Sequence, residues 1–315
     1  MEENKYGRLV RPFSDIEADE INWWQRNAGI EDKFCWVQPV KYSKILRGDY
    51  VEYLKNRLHK NSRILELGCG TGWLLFLLFD AGFSNLKGID FSKEQIRIAE
   101  ERKAKISIRK NSLLEFFVGG FELLEGSIEK YDVIICHGFL HHLSEEEIRT
   151  ILNESKKYLN ENGLLLIWEP FIYSRKPNQL YKQVETLRSF FTKTRKLGRI
   201  FSREETEIRN LIANRHEGSG KRGPSPKEKP FEKNELFELV DSSWHIVNQR
   251  RFMSFSHLIG QDLLLTSLTY PKFIKVIEVP LLYFVKFWER LVLRYKNPID
   301  VPFWIFELIE CRPKN

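Results

Sequence analysis

The amino-acid sequence predicts an α/β protein with a seven-stranded, mostly parallel sheet, helices on both faces of the sheet, and a helical insertion. Two observations lead to this fold class. Short apolar runs alternate with helix-length segments between residues 63 and 168, which is the pattern of strands joined by crossover helices. After residue 170 the alternation stops, and two further apolar runs come towards the end of the chain.

Five strands are predicted before residue 170 and two after it. Each is a short apolar run bounded by turn or helix signals. They are Arg63–Leu67, Leu86–Ile89, Ile106–Arg109, Tyr131–Cys136 and Leu164–Trp168, then a sixth strand within Trp244–Phe255 and a last one at Val301–Cys311. Ser92 and Ser144 are predicted to cap the helices after the second and fourth strands. Right-handed crossovers then give a Rossmann-like sheet.

The chain divides into four predicted parts. Residues 1–60 are an aromatic-rich helical segment expected to cover a ligand site, and residues 61–170 are the α/β core. Residues 171–230 are a basic helical insertion and loop. Residues 231–315 complete the sheet and carry an apolar helical lid, 256–298, before the last strand.

Composition indicates an ordinary globular protein. The 315 residues are 42% hydrophobic and 30% charged, with a formal net charge of +7. The four cysteines form no CxxC pair and no zinc-like spacing, so no metal site is predicted and a reducing compartment fits best. The first residues are too polar for a signal peptide and no run of 18 apolar residues occurs, which predicts a cytoplasmic protein.

A glycine-rich loop, Glu66-Leu67-Gly68-Cys69-Gly70-Thr71-Gly72, joins the first strand to an apolar helix. Glycine allows both a sharp turn and close approach of a ligand to the backbone, and the helix presents free N–H groups there. A dinucleotide fingerprint would place its third glycine at position 73, which is Trp73. The spacing therefore disfavours a dinucleotide, while a tight turn without a ligand stays an alternative.

Further segments fall in register with this loop. They are Gly88-Ile89-Asp90-Phe91-Ser92, Asn111-Ser112, Tyr131 to Gly138 together with Phe139-Leu140-His141-His142-Leu143, and Asn160 to Ile167. Along with the loop they resemble the motifs of the class I S-adenosylmethionine (SAM)-dependent methyltransferases over about residues 62–170. Asn111 is a departure, because the family usually has an aspartate there.

The resemblance implies SAM as the methyl donor and S-adenosyl-L-homocysteine (SAH) as its product. It implies that Asp90 binds the ribose hydroxyls, that Glu66 holds the cofactor end of the loop, and that Phe91 and Leu113 flank the adenine. Backbone atoms near Gly68 and His137 would contact the methionine portion. The full set of expected cofactor-binding residues is Glu66, Gly68, Cys69, Gly70, Gly72, Asp90, Phe91, Asn111, Ser112, Leu113, Cys136 and His137.

Three histidines, His137, His141 and His142, come directly after the fourth strand, close to where the methyl group should lie. A hydroxyl acceptor must lose a proton, and histidine is suited to that task near pH 7. His137 and His142 are the predicted catalytic residues. The alternative for each is a structural, hydrogen-bonded role, and the Cys136 side chain is expected to pack.

The segment after the fourth strand constrains the acceptor. Cys136-His137-Gly138-Phe139 stands where nucleic-acid amino-methyltransferases of this fold usually carry an Asp/Asn-Pro-Pro-aromatic motif, which argues against nucleic acid. We therefore predict methyl transfer to an O or N atom of a small-molecule or lipid-like acceptor. Two alternatives stay open: a non-catalytic SAM-fold subunit that binds a partner, and an RNA methyltransferase.

Residues 272–295 form a long predicted helix with one wide apolar face, interrupted by Pro280. Its charged residues fall on one arc of roughly 160° when about 100° separates successive residues. Four interpretations of this helix stay open. It could be a lid packed on the sheet, part of a hydrophobic substrate pocket, a homodimer contact or a peripheral membrane contact. The basic stretch 193–233 would suit an anionic group or form a solvated face.

Overall fold

A computed structural model describes most of the chain. The described residues are 15–33, 42–107, 112–125, 128–173, 178–197, 229–232, 234–269, 271–295 and 304–314. Asn111 and most of the basic stretch 193–233 lie outside these ranges. Within them, no helix has the length and apolarity needed to span a membrane.

One mixed sheet organises the molecule. Its strands are β1 Arg63–Leu67, β2 Asn85–Asp90, β3 Leu113–Val118, β4 Tyr131–His137, β5 Leu159–Ile172, β6 Phe231–Glu232, β7 Trp244–Met253 and β8 Ile305–Pro313. Their order is β3-β2-β1-β4-β5-β8-β7, and the two-residue β6 pairs with the end of β5. Only β8 runs antiparallel to its neighbours β5 and β7. The predicted fold class is confirmed, with β6 as an eighth strand.

Helices cover both faces of the sheet. They are α1 Asp15–Lys33, α2 Ser43–Leu46, α3 Gly48–Arg57, α4 Trp73–Asp80, α5 Lys93–Lys103, α6 Glu145–Tyr158, α7 Gln179–Leu197, α8 Glu235–Asp241, α9 Ser256–Thr269 and α10 Pro271–Tyr295. The two predicted N-caps are present. The Ser92 hydroxyl accepts from the Gln95 backbone N–H, and Ser144 forms a capping box with Glu147.

The apolar core lies on both faces of the sheet because side chains alternate along each strand. Val133 and Ile135 of β4 belong to one apolar cluster, whereas Ile134 and Cys136 belong to the cluster on the opposite face. Burial on both sides explains why the parallel strands read as continuous apolar runs in the sequence.

The third predicted strand, Ile106–Arg109, was wrong. The strand that pairs with β2 is Leu113–Val118, with Leu114 opposite Leu86 and Val118 opposite Asp90. Ile106 and Ser107 form no strand, and residues 108–111 lie outside the described ranges. The strand forms at Leu113–Val118 and not at Ile106–Arg109, because the longer apolar run aligns six residues with β2 and buries Leu114 and Phe116.

Strand β5 is longer than the predicted Leu164–Trp168. It extends over Leu159–Ile172 because β4, β6 and β8 all pair with parts of it. Strand β7 lies inside the predicted Trp244–Phe255. Strand β8 ends two residues beyond the predicted Cys311.

Candidate active site

A cavity of about 880 Å3 opens at the carboxyl ends of β1, β2 and β4. This is the edge of an open α/β sheet at which ligands usually bind. The glycine loop, the segment after β2, the segment after β4 and α1 all contribute to its wall. Lining residues include Glu20, Trp24, Arg47, Glu66, Gly68, Cys69, Gly70, Trp73, Asp90, Phe91, Gly119, Gly120, Phe121, His137, His141, His142 and Trp168.

The three loop glycines all have left-handed backbones, with φ of 65° at Gly68, 54° at Gly70 and 73° at Gly72. A Cβ at Gly68 would lie 2.6 Å from the Phe139 ring, and one at Gly72 would lie 2.5 Å from the Phe116 ring. A Cβ at Gly70 would have only the Gln95 side chain near it, at 3.7 Å. Packing therefore excludes side chains at the outer two glycines, while Gly70 leaves open space beside the cavity.

Asp90 ties this loop to the end of β2. Its Oδ2 accepts from the Gly70 backbone N–H at 2.8 Å, and its Oδ1 accepts from the Ser92 N–H at 2.8 Å. Burial raises the pKa of Asp90, and the two backbone hydrogen bonds act in the opposite direction. The carboxylate is thus held at the wall of the cavity by backbone donors.

Glu66 and His137 face each other at the floor of the cavity. Their closest polar atoms, Glu66 Oε1 and His137 Nδ1, are 3.6 Å apart. Burial raises the pKa of Glu66 well above its usual range and lowers that of His137 well below its usual range. Both shifts favour uncharged side chains. Within the described residues, Glu66 Oε2 and His137 Nε2 have no hydrogen-bond partner, which is unusual for buried polar atoms and suits a polar ligand at this position.

Arg47, between α2 and α3, is a site residue that the sequence analysis missed. Its guanidinium carbon lies 3.5 Å from the centre of the Trp73 ring, which is cation–π distance, and the side chain is buried at the cavity wall. Its charge contributes to the low pKa of His137. Nothing in the local sequence distinguishes Arg47 from the exposed arginines of the chain, because the Trp73 ring that covers it comes from α4.

His141 is held by a buried carboxylate that the sequence analysis also missed. Glu169 Oε2 lies 2.7 Å from His141 Nδ1, while Oε1 accepts from the backbone N–H groups of Phe139 and Leu140 at 3.0 and 2.8 Å. Burial raises the pKa of Glu169 to about 8. Glu169 therefore fixes the turn after β4, and His141 has a structural partner.

His142 is paired with a residue of α1. Glu20 Oε1 lies 2.8 Å from His142 Nδ1 and also accepts from the Trp24 indole N–H at 2.8 Å. The Trp24 ring meets the His142 ring edge-on, with centroids 5.3 Å apart. The amino-terminal segment thus contributes a carboxylate and an aromatic wall directly to the cavity.

Several expected cofactor contacts are not placed as predicted. Ser112 and Leu113 lie at the amino end of β3, away from the cavity, because the strand begins after the predicted one. Gly119, Gly120 and Phe121, directly after β3, line the cavity instead. The Gly119-Gly120 pair after an apolar run was the signal that could have identified this position.

The remaining expected positions divide between the cavity wall and the core. Glu66, Gly68, Cys69, Gly70, Asp90, Phe91, His137 and His142 all line the cavity. Gly72 lies just behind it, and the Cys136 side chain is buried in the core, where burial raises its pKa. Across the described ranges, no group of three or more potential ligands is placed to hold a metal ion.

Comparison with known proteins agrees with this architecture. Residues 65–165 match the family model of a methyltransferase domain. A ubiquinone biosynthesis O-methyltransferase from Pelagibacter ubique is 30% identical over 162 residues, covering 50% of this chain and 62% of that protein. A tabtoxin biosynthesis enzyme from Pseudomonas amygdali pv. tabaci is 26% identical over 168 residues, covering 53% of this chain and 61% of that protein. The matched part of the chain thus spans less than two thirds of the length of these relatives.

Among solved structures, magnesium protoporphyrin IX methyltransferase from Synechocystis PCC 6803, with bound SAH, aligns with a TM-score of 0.50 and 13% identity. The alignment covers 95% of this chain and 100% of that one, and it supports the fold. The sheet order and the glycine loop define a methyltransferase-type nucleoside-binding core. Residues 65–165 match a methyltransferase-domain family model, and the resemblance of the sequence to class I SAM-dependent methyltransferases is confirmed.

Proposed function

We propose that the chain is a SAM-dependent methyltransferase that transfers a methyl group to an O or N atom of a small-molecule or lipid-like acceptor. The observation that carries this proposal is the convergence of three features on one cavity: the glycine loop, Asp90 after β2, and the buried pair Glu66 and His137. A silent partner-binding subunit would have no need for such a set.

The residues present fit the cofactor. The carboxylate of Asp90 would accept from the ribose hydroxyls, and the unpartnered atoms Glu66 Oε2 and His137 Nε2 would meet the polar methionine end. Phe91, which is 44% exposed beside the loop, and Phe121 would contact the adenine. When bound, SAM supplies an electrophilic methyl group, and the chain supplies position and exclusion of water.

His142 is the better supported of the two predicted bases. A carboxylate at Nδ1 favours the tautomer with the proton on that nitrogen, which leaves Nε2 to take the proton of an acceptor hydroxyl. Glu20 would stabilise the imidazolium that forms. His137 is the weaker base because its lowered pKa disfavours protonation, although it stays a candidate for positioning the acceptor.

The size and lining of the cavity support the proposed class of acceptor. Its volume of about 880 Å3 would have to hold SAM as well as the acceptor, which favours a small acceptor, and Trp24, Trp73, Phe139 and Trp168 give it aromatic walls. The named relatives include a ubiquinone biosynthesis O-methyltransferase, which supports a small-molecule or lipid-like acceptor here. A cytoplasmic location stays the prediction from sequence.

Calorimetric titration with SAM and with SAH tests the cofactor. Wild type should bind both, and Asp90→Ala should lose affinity by tenfold or more, since hydrogen bonds to charged groups contribute about 1.5–3 kcal/mol. Asp80→Ala, which removes an exposed carboxylate at the end of α4, is the matched control and should bind as wild type does. Absence of SAM binding, or equal affinity in both variants, would overturn the proposal.

An assay with methyl-labelled SAM on cell extract tests the acceptor. The extract is separated after reaction into lipid, small-molecule, RNA and protein fractions. Label in the small-molecule or lipid fraction supports the proposal. Label confined to RNA or protein contradicts it, and so does SAM binding without any transfer.

A further inference from the structure

Helix α10 is apolar on two sides, and its buried side also carries charge. Glu278, Lys286 and Glu289 are at most 4% exposed, and Ile274, Leu282 and Val285 are at most 2% exposed. Seven further large apolar residues point outward, with exposures between 37% and 75%. They are Val276, Ile277, Val279, Tyr283, Phe284, Phe287 and Leu291.

The buried charges have partners that fix this orientation. Glu289 Oε1 accepts from the backbone N–H groups of Ser254 and Ser256, and its Oε2 lies 2.8 Å from Lys286 Nζ. Lys286 also donates to the Phe252 carbonyl at 2.6 Å. Rotating the helix to bury its apolar face would break all of these bonds. The exposed apolar stripe is therefore built into the fold.

The stripe is continuous on the helical wheel. When about 100° separates successive residues, its seven residues fall within an arc of roughly 160° centred on Phe287. Arg290 and Arg294 lie on the same arc, and both are exposed. The two glutamates in the described part of the helix are turned inward. The outward face thus carries apolar groups and positive charge without a carboxylate of its own.

A cleft of about 1020 Å3 adjoins the carboxyl end of this stripe. Arg290 and Arg294 belong to both features. The cleft also contains Arg57, Arg250 and Arg251 from α3 and β7, together with the carboxylates of Asp49 and Glu52. Asp49 neutralises Arg290, while Glu310 and Glu307 neutralise Arg57 and Arg251. Among the described residues, no carboxylate forms an ion pair with Arg250, which lies over the rings of Tyr53 and Phe252.

We propose that the stripe and the arginine cleft together form a docking face for an anionic phospholipid bilayer. The aromatic and aliphatic side chains would enter the boundary between head groups and acyl chains, and the arginines would meet the phosphates. Charge complementarity favours this partner, because apolar groups and cations share one surface and the helix directs its acids inward. The proposal stands apart from methyl transfer.

A second copy of the chain fits this face less well. In a two-fold symmetric dimer the same patch meets itself, so the exposed positive charge of both copies would lie within one interface. Burial of like charges against each other opposes such an interface. An anionic surface removes that repulsion, and the net charge of +7 favours it further.

Co-sedimentation of the full chain with vesicles tests the proposal. Wild type should bind vesicles of phosphatidylcholine mixed with phosphatidylglycerol and should bind pure phosphatidylcholine much less. The double variant Phe284→Ser/Phe287→Ser should lose binding by on the order of tenfold or more. Arg250→Gln should lose about fivefold, and added salt should reduce wild-type binding in the same direction.

Ile128→Ser is the matched control, because it removes a 97% exposed apolar side chain outside the docking face. All variants should bind SAM as wild type does. Loss of vesicle binding can therefore be distinguished from loss of the proposed methyltransferase activity. Equal binding to both vesicle types, or no effect of the paired substitutions, would refute the proposal. A dimer detected by light scattering and abolished by Phe284→Ser/Phe287→Ser would refute it in favour of self-association.

Discussion

Gly70 and Asp90 show how single residues define the cofactor site. Gly70 holds a left-handed backbone with φ of 54°, and its N–H points to the Asp90 carboxylate at 2.8 Å. The loop and the end of β2 are therefore coupled through one hydrogen bond. His142 is defined in a similar way by Glu20, a residue of α1 that lies far earlier in the chain.

Gly70→Ala should weaken SAM binding and lower stability by about 1 kcal/mol, because alanine is strained in the left-handed region. Its Cβ would also enter the space beside the cavity. Calorimetry and urea unfolding measure the two effects. Gly29→Ala in α1 has open space around the new Cβ, so it should leave SAM affinity near wild type and should raise stability by about 0.5–1 kcal/mol, because alanine favours a helix more than glycine does. Unchanged SAM affinity in Gly70→Ala would mean that the loop does not approach the cofactor.

His142→Ala should lower kcat by about 10²–10⁴-fold for a hydroxyl acceptor, which is the usual contribution of a general base. Glu20→Gln should lower kcat less and should shift the pH–rate profile, since Glu20 acts through His142. The exposed His59→Ala is the control and should change neither. If His142→Ala retains full kcat while SAM binding is intact, the base has been assigned to the wrong residue.

At the scale of elements, two buried carboxylates attach secondary structures to each other. Glu169 of β5 holds the turn after β4 through the N–H groups of Phe139 and Leu140. Glu289 holds α10 to the end of β7 through Ser254 and Ser256. In each case a side chain satisfies backbone donors that no helix or strand satisfies.

Glu169 should make stability depend on pH. Its pKa of about 8 in the folded protein exceeds the ordinary value of 4.5, so the folded state binds more protons between these limits. Stability contributed by the protonated form is therefore present at low pH and is lost as pH rises towards 8. Glu169→Gln should reduce this slope in urea unfolding measured at several pH values. Identical slopes in both proteins would contradict the assignment.

Glu289→Ala should destabilise the protein by about 3–5 kcal/mol, because it leaves Lys286 buried without its partner carboxylate. Urea unfolding measures the loss. Glu161→Ala, at an exposed position in β5, should change stability by less than about 0.5 kcal/mol. A loss in Glu289→Ala no larger than in this control would show that the network contributes nothing to the attachment of α10.

The whole molecule combines a cofactor-binding sheet with an outward apolar helix. The two features lie in different parts of the sequence: the cofactor loop precedes residue 73, and the helix begins after residue 270. Residues 42–57 connect them, because Arg47 lines the cavity while Asp49 pairs with Arg290 of α10.

SAM should stabilise the folded chain as a whole. A ligand that binds only the native state adds about 2.7 kcal/mol at a concentration of about 100 times its Kd. Thermal unfolding should therefore shift upward with SAM and with SAH, and NADH should give no shift because the loop lacks dinucleotide spacing. A larger shift with NADH than with SAM would overturn the interpretation of the loop.

The sequence by itself determined the α/β class, six of the seven predicted strands and the class of cofactor loop. These features depend on local patterns: apolar runs, serine caps and glycines at 68, 70 and 72. The third strand was misplaced because two apolar runs lay close together, and only pairing with β2 selects Leu113–Val118. Because of that error, the expected cofactor-binding residues Ser112 and Leu113 were also misplaced.

Only the tertiary structure decided which side chains meet at the site and which face of α10 is outside. Glu20 and Arg47 come to the cavity from separate elements, Glu169 comes to His141 from β5, and no local pattern marks them. Helix α10 shows the physical reason most clearly. Periodicity divides its faces, but the buried partners of Glu289 and Lys286, from residues 252–256, determine that these two charged residues turn inward while Arg290 and Arg294 stay exposed.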